Sequence, residues 1–306
     1  MNLAGKKIVV TGGDSMIGRA LVTELKKYTC EVTGTSHKYL DLMDYKSTYR
    51  YFHNIRPDYV FHLAGYNGNI RFNGKYPHDI FYKTTQMGLN VLNICKELQV
   101  KKVCSLISSC AYSPDVLMEE SRFFEGKPHD TVEAHGFAKK ILVEYGRQIN
   151  KQYPDTRCTN VVVNHVYGPH DNFNPEKTKV VGSLIAKFED AKKNNLAEVE
   201  LWGSGNARRE FIYVDDVAKY LPAILTEIND ELINLGCNSD ISIKELAETI
   251  QELVGYKGKI FWNGSSEGQM RKLLSSHRIN KFLQLEFTSL KDGLKKTIEW
   301  YEAHHK

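Results

Sequence analysis

The 306-residue sequence contains no apolar run long enough to cross a bilayer. It has no basic stripe either. Its 41 Lys and Arg stand against 37 Asp and Glu, a formal net charge of +4, with the two signs interspersed. That balance gives no support to nucleic-acid binding, while a mild positive excess suits an anionic small ligand. The six cysteines (Cys30, Cys95, Cys104, Cys110, Cys158, Cys237) form no C-x-x-C pair. That argues against a metal site and for reduced thiols in a cytoplasmic protein. Met1–Val10 reads as a basic turn feeding a strand, not as a secretory signal. Internal repeats, low-complexity tracts and a flexible linker are all missing. What remains, 42% apolar and 25% charged residues, is the composition of a soluble globular chain long enough for two lobes.

The first half alternates short apolar runs with longer amphipathic ones. Strands are predicted at Lys7–Thr11, Glu31–Thr35, Tyr59–Leu63, Val103–Ile107 and Cys158–Val163. Each is rich in Val or Ile or nearly continuous in apolar character, as strands covered on both faces should be. Helices are predicted at Met16–Lys27, Tyr45–Asn54, Asp79–Leu98 and Ala134–Gln152. Strict alternation predicts an α/β fold, a Rossmann-type doubly wound parallel sheet. The rhythm is lost in the second half. There helices are expected at Val181–Lys192, Asp215–Leu225, Ile243–Leu253 and Leu290–His304. Short strands are expected near Val199–Trp202, Glu210–Val214, Ile233–Leu235 and Lys259–Trp262.

The first strand runs into Gly12, Gly13, Asp14, Ser15, Met16, Ile17 and Gly18, then a helix. A tight turn at that junction brings backbone N–H groups and a helix N-terminus up to a pyrophosphate, and side chains would block it. Ser15 replaces the usual middle glycine. The second strand ends in Ser36, His37 and Lys38, with no acid until Asp41. An acid for the ribose 2′-OH is thus missing, which favours a 2′-phosphate and NADP(H). Asp41 is expected near the adenine, and Leu63, Ala64 and Gly65 where backbone approaches the cofactor ribose.

These features occur together with Ser108-Ser109-Cys110, the run Gly168-Pro169-His170-Asp171-Asn172-Phe173, the stretch Leu201 to Ile212 containing Trp202 and Arg209, and Arg271-Lys272. In that combination the chain resembles, over almost its whole length, the GDP-L-fucose synthases. These are the GDP-4-keto-6-deoxymannose 3,5-epimerase-4-reductases of the extended short-chain dehydrogenase/reductases. The resemblance implies a dinucleotide-binding domain over 1–167, to which 208–236 returns, and a nucleotide-sugar domain over 168–306. It also implies a homodimer through the second pair of long helices.

The family reduces its ketone with a Ser, a Tyr and a Lys, the Tyr four residues before the Lys on one helical face. Ser108 and Lys139 match, but His135 stands at the Tyr position. Lys139 is implied both in catalysis and at the nicotinamide ribose. For epimerisation the family uses a Cys, matched by Cys110, and a His, whose place is taken by Lys179. Asn164 and His165 are implied at the substrate, His165 standing where the family usually has Asn. Trp202, Arg209 and Lys272 match residues that meet the GDP portion. The leading expectation is an NADPH-dependent reductase of a GDP-4-keto-6-deoxy sugar, with or without epimerase activity. Two others stay open. One is a reductase or partial epimerase of a related GDP-sugar such as a 6-deoxy-heptose. The other is a low-activity paralogue that binds both ligands.

Overall fold

The computed structural model describes residues 3–265 and 268–305; Met1 and Asn2 of the Met1–Val10 stretch lie outside them. The first half runs β1 (Lys7–Thr11), α1 (Met16–Leu25), β2 (Glu31–Gly34), α2 (Tyr45–Ile55), β3 (Tyr59–His62), α3 (Ile70–Lys75), α4 (Pro77–Glu97), β4 (Lys102–Ser108), α5 (Glu133–Gln152) and β5 (Arg157–Val163). Then follow β6 (His165–Tyr167), α6 (Val180–Lys193), β7 (Glu198–Leu201), β8 (Arg208–Arg209), β9 (Phe211–Tyr213), α7 (Val214–Glu227) and β10 (Leu232–Leu235). The chain finishes with β11 (Ile241–Ser242), α8 (Ile243–Val254), β12 (Lys259–Trp262), β13 (Arg271–Lys272) and α9 (Leu290–His304).

Six strands form one sheet in the order β10-β5-β4-β3-β1-β2. Every pairing in it is parallel. β1 is the switch point, with β2 on one side and β3 on the other, so the crevice beyond its carboxyl end is the ligand position of a doubly wound sheet. The strands read as apolar runs because both faces are covered: Ile8, Val9, Val10, Val60 and Phe61 are fully buried. Helices α2, α4 and α5 pack side by side on one face, and α1 and α7 on the other.

The second lobe is built from α6, α8, α9 and two small sheets, β11-β8-β13 and β12-β7. Its helix α8 shows why local sequence suffices there. Ser242 and Glu245 close a capping box at the start, and Gly255, at φ +79, ends the helix in the left-handed region. A single apolar cluster runs from Ile8 and Leu21 through Val217 and Leu221 to Leu184, Phe188, Leu246 and Ile250, so the lobes share one core. β10 follows β7 and β8 of the second lobe in sequence yet pairs with β5 in the large sheet.

Several elements differ from the sequence reading. α3 was not expected, and α4 starts at Pro77 rather than Asp79. Glu210–Val214 is not one strand: β8 and β9 flank Glu210, and Val214 opens α7. β6, β11 and β13 are two or three residues long, too short to leave a period in the sequence.

Candidate active site

The glycine turn forms at the end of β1. Gly12 has φ +68. A Cβ on Gly13 would lie 2.6 Å from the Gly34 Cα, and one on Gly18 would lie 2.1 Å from the Gly12 carbonyl. Only hydrogen fits at either point. Ser15 is the N-cap of α1: its hydroxyl accepts from the Gly18 N–H at 3.1 Å and donates to the Gly12 carbonyl at 2.7 Å. The replacement of the middle glycine is thereby used to close the turn, and Met16 and Ile17 start the helix whose N-terminus faces the crevice. These backbone donors and the cradle free of side chains fit a dinucleotide pyrophosphate.

At the end of β2, Ser36 is buried and donates to Asp14 Oδ2 at 2.6 Å. His37 Nδ1 stands 3.8 Å from the same oxygen. The sequence reading found no acid here before Asp41; folding brings Asp14 over from the glycine turn. Lys38 is exposed and has no carboxylate partner among the described residues. Asp41 caps a local turn, accepting from the Met43 N–H at 2.9 Å. Leu63 and Ala64 donate their N–H groups to the Thr11 hydroxyl oxygen at 3.2 and 3.3 Å. A Cβ on Gly65 would lie 3.8 Å from Lys139 Nζ, which places Gly65 beside that lysine.

β4 delivers Ser108 at its carboxyl end, and the Ser108 hydroxyl accepts from the Cys110 N–H at 3.2 Å in the tight turn that follows. Helix α5 comes close to this turn because residue 136 is glycine: a Cβ there would lie 2.5 Å from the Cys110 carbonyl. His135 and Lys139, four residues apart on α5, are both buried. Lys139 Nζ donates to the Leu106 carbonyl at 2.9 Å, and burial lowers its pKa to about 8. The His135 Nδ1 atom has no hydrogen-bond partner among the described residues. Burial, with the charges of Lys139, Lys179 and Lys272 added, holds this imidazole well below its ordinary pKa.

The second lobe supplies the rest. β13 pairs with β8 so that Lys272 and Arg209 are register neighbours. Lys272 Nζ donates to Cys110 Sγ at 3.3 Å. Burial pushes the thiol up, but Lys272, the Ser108 hydroxyl and Lys179 outweigh it, and the net shift is downward. Lys179, exposed at the start of α6, therefore stands near the thiol and the imidazoles of His135 and His165. Arg209 is buried, with Nη1 donating to the Arg208 and Met270 carbonyls at 2.8 and 3.3 Å. Trp202, in the turn after β7, is 44% exposed.

Asn164 and His165 part company. The Asn164 side chain accepts from the Ser109 hydroxyl at 2.8 Å and donates to Glu210 Oε2 at 3.2 Å and the Lys272 carbonyl at 3.1 Å. Its amide is taken up in bolting the Cys110 turn to β13. His165 Nδ1 finds no hydrogen-bond partner among the described residues. Burial, then Lys272, Arg209 and Lys179, depress its pKa well below the ordinary value.

Sequence reasoning missed three groups here. Glu210, fully buried, accepts from the N–H groups of Cys237, Asn238 and Leu274 at 2.6, 3.0 and 3.2 Å, tying three segments together beneath Lys272. His62, also fully buried, has Nδ1 2.9 Å from the Thr11 hydroxyl; burial, then Lys139, lower its pKa to about 3. Arg71 on α3 lies over the Trp202 ring. An acid inside a motif rich in Arg, and a His ending the apolar run of β3, were the available signals for the first two. Arg71 had none, because its helix was not foreseen.

A Rossmann-type sheet with a cradle for a pyrophosphate, and a lysine-paired thiol where a second lobe closes over it, defines a dinucleotide-dependent enzyme class. The model of the NAD dependent epimerase/dehydratase family matches residues 8–236. The GDP-L-fucose synthase of Escherichia coli (strain K12) is 31% identical, covering 98% of this chain and 97% of its own. A GDP-L-fucose synthetase from Naegleria fowleri, solved bound to NADP, superposes with a TM-score of 0.91 at 27% identity over 100% of this chain and 97% of that one. A GDP-6-OMe-4-keto-L-xylo-heptose reductase from C. jejuni gives 0.93 at 26% identity, over 100% and 99%. The chain belongs to the NAD dependent epimerase/dehydratase family and, within it, to the GDP-L-fucose synthases.

Proposed function

We propose that the protein is an NADP(H)-dependent reductase of a GDP-4-keto-6-deoxy sugar, with His135 in the place of the family's tyrosine and with weakened epimerase chemistry. The observation that carries this reading is the convergence of Ser108, Lys139 and the Lys272-paired Cys110 where the lobes meet. NADP(H), when bound, supplies or accepts the hydride. The glycine turn and the α1 N-terminus would hold its pyrophosphate, and Ser36, His37 and Lys38 the 2′-phosphate end. The ribose would lie by Lys139 and Gly65.

Ser108 and His135 grip the ketone oxygen of the sugar. A neutral imidazole donates a hydrogen bond but is a poor proton donor, so reduction is slowed at the step where the oxygen gains its proton. Cys110, poised toward the thiolate by Lys272, removes a proton from a carbon beside the ketone. Lys179 stands on the other side of the exchange. An ammonium is a weaker acid than the family's imidazolium and returns a proton less readily. Arg209 offers a planar fork to the diphosphate, and Trp202 an exposed ring to the base.

A GDP-4-keto-heptose is the second substrate reading, favoured by the similarity to the heptose reductase and by the changed residues at 135, 165 and 179. The outer faces of α4 and α5 expose Phe81, Tyr82, Phe137 and Ile141, a surface suited to a second copy of the chain. None of the described helices is long and apolar enough to cross a membrane, and all six thiols are free, which suits a reducing, cytoplasmic setting. The test is the initial rate of NADPH loss with GDP-4-keto-6-deoxymannose against the UDP-linked 4-keto-6-deoxyglucose. Faster loss with the GDP-sugar supports the reading; equal rates, or none with either, overturn it.

A further inference from the structure

Arg71 and Trp202 come from opposite lobes and meet across the mouth of the cleft. The guanidinium carbon of Arg71 lies 4.5 Å from the centre of the indole. α3, which carries Arg71, is fastened to the second half of the chain on its other side. Asn69 Nδ2 donates to the Pro175 carbonyl at 3.2 Å, and Lys177 Nζ sits 5.6 Å over Tyr66 and 5.3 Å over Phe72. A Cβ on Gly268 would lie 3.4 Å from Ile70 Cδ1 and 3.9 Å from Arg209 Nη2, so α3 overhangs the strand pair that carries Arg209 and Lys272.

The placement of Arg71 is not that of a stability device. Its side chain is exposed, and no carboxylate pairs with it among the described residues. A cation over a half-exposed ring contributes little to folding. A second cation, Lys187, donates to the Glu200 carbonyl at 2.9 Å; burial lowers its pKa, the charge of Glu200 opposes that, and the charge of Arg71 lowers it further. Arg71 without a carboxylate, Lys187 nearby and a half-exposed indole describe a subsite for an aromatic ligand with acceptor groups. Arg209 and Lys272 lie at the thiol end of the same cleft, so the diphosphate belongs there and the base at Trp202.

We propose that Arg71 selects the nucleobase, its guanidinium fork donating two hydrogen bonds to O6 and N7 of a guanine stacked on Trp202. This rests on the GDP-sugar reading and deepens it. The guanidinium covers the indole face that a stacked base would take, so a base entering there displaces this exposed side chain toward the rim of the ring, where its fork can meet the base edge. Guanine offers two acceptors along that edge. Adenine offers one acceptor and an amino donor, which opposes an N–H of the fork. Hypoxanthine keeps both acceptors and lacks only the 2-amino group on the far side of the ring. Lysine at this position would supply the charge without the fork.

Calorimetric titration of the full chain with GDP, IDP and ADP tests this, using the natural protein, Arg71→Ala and Arg71→Lys, with NADPH binding as the folding control. The natural protein is expected to bind GDP and IDP alike and ADP about tenfold to a hundredfold more weakly. Arg71→Ala should lose about that factor for GDP and IDP and leave ADP within about twofold, so that selectivity collapses. Arg71→Lys should be equally unselective. An equal loss for all three nucleotides would make Arg71 a diphosphate ligand and overturn the proposal. So would unchanged selectivity in Arg71→Ala, or IDP falling to the level of ADP in the natural protein. If the natural protein binds no GDP at all, the GDP-sugar reading itself fails and takes this inference with it.

Discussion

Replacing His135 by tyrosine should speed reduction and remove most of its dependence on pH. The ketone oxygen must gain a proton as hydride arrives, and a positioned acid contributes roughly 10²–10⁴ to such a step. His135 is buried among Lys139, Lys179 and Lys272, and each of these influences lowers its pKa. A free imidazole, with a pKa of about 6.5, would be roughly one-quarter protonated at pH 7. Every further unit of depression removes about another tenfold of the acid form. If the imidazolium is the donor, kcat of the natural protein should rise about tenfold for each pH unit lowered between pH 8 and 6. In His135→Tyr the phenol lies one helical turn from Lys139 and is acidified by it. That variant should hold a plateau until Lys139 loses its proton near its pKa of about 8. At pH 7 kcat should gain roughly 10²-fold or more, with KM little changed, because the added interaction belongs to the transition state. The assay is a pH–rate profile of both proteins on one 4-keto sugar. A natural enzyme that is fast and flat from pH 6 to 8, or a variant slower than it, would refute the reasoning and move the proton source to Ser108 or to water.

Lys272→Met should raise the Cys110 thiol pKa and slow its alkylation by iodoacetamide at pH 7 by about tenfold, with Cys110→Ser identifying the signal; unchanged alkylation would mean that the 3.3 Å contact does not set the thiolate. His62, His135 and His165, each depressed first by burial, also make stability depend on pH. A neutral buried imidazole binds its proton only in the unfolded chain, so stability is fully present above the unfolded pKa of about 6.5 and falls as pH drops below it. For His62, whose folded pKa is about 3, the loss is roughly 1.4 kcal/mol per unit across that window. Urea unfolding at pH 7 and 5.5 measures it, and His165→Asn should reduce the slope; equal stability at both values would contradict the burial argument. NADPH should bind more tightly than NADH by about tenfold, and Lys38→Ala should shrink the difference; titration giving NADH equal affinity in the natural protein would remove the 2′-phosphate role.

The doubly wound sheet was legible because its strands are covered on both faces, and such strands leave continuous apolar runs that no surface pattern imitates. The glycine turn was legible for a related reason, since close backbone approach forbids side chains and leaves glycines in the sequence. Ser108, Cys110, His135 and Lys139 were singled out by the family resemblance, and the strand end and helical spacing that carry them are local. What escaped is contact between distant segments. Asp14 reaches Ser36 only when two strand ends meet. Asn164 is bound up by Ser109, Glu210 and Lys272, and its position in the sequence cannot distinguish a substrate ligand from a bolt. Lys272 was expected at the GDP portion, and nothing in its neighbours announces that it touches a thiol more than 160 residues away. β8 and β9 escaped because two- and three-residue strands carry no period, and their break at Glu210 follows from a carboxylate that must accept from three backbone N–H groups.

The most direct test of the account is to follow label through one turnover, using NADPH deuterated at the transferable position in ordinary water and, separately, unlabelled NADPH in deuterium oxide, with GDP-4-keto-6-deoxymannose as substrate. The account predicts deuterium at C4 of the product in the first case, and in the second clearly less than one deuterium per reduced product at each carbon beside C4, since Cys110 is in place and the partner imidazole is not. Absence of label at C4, or exchange at both flanking carbons complete before any NADPH is consumed, would contradict it.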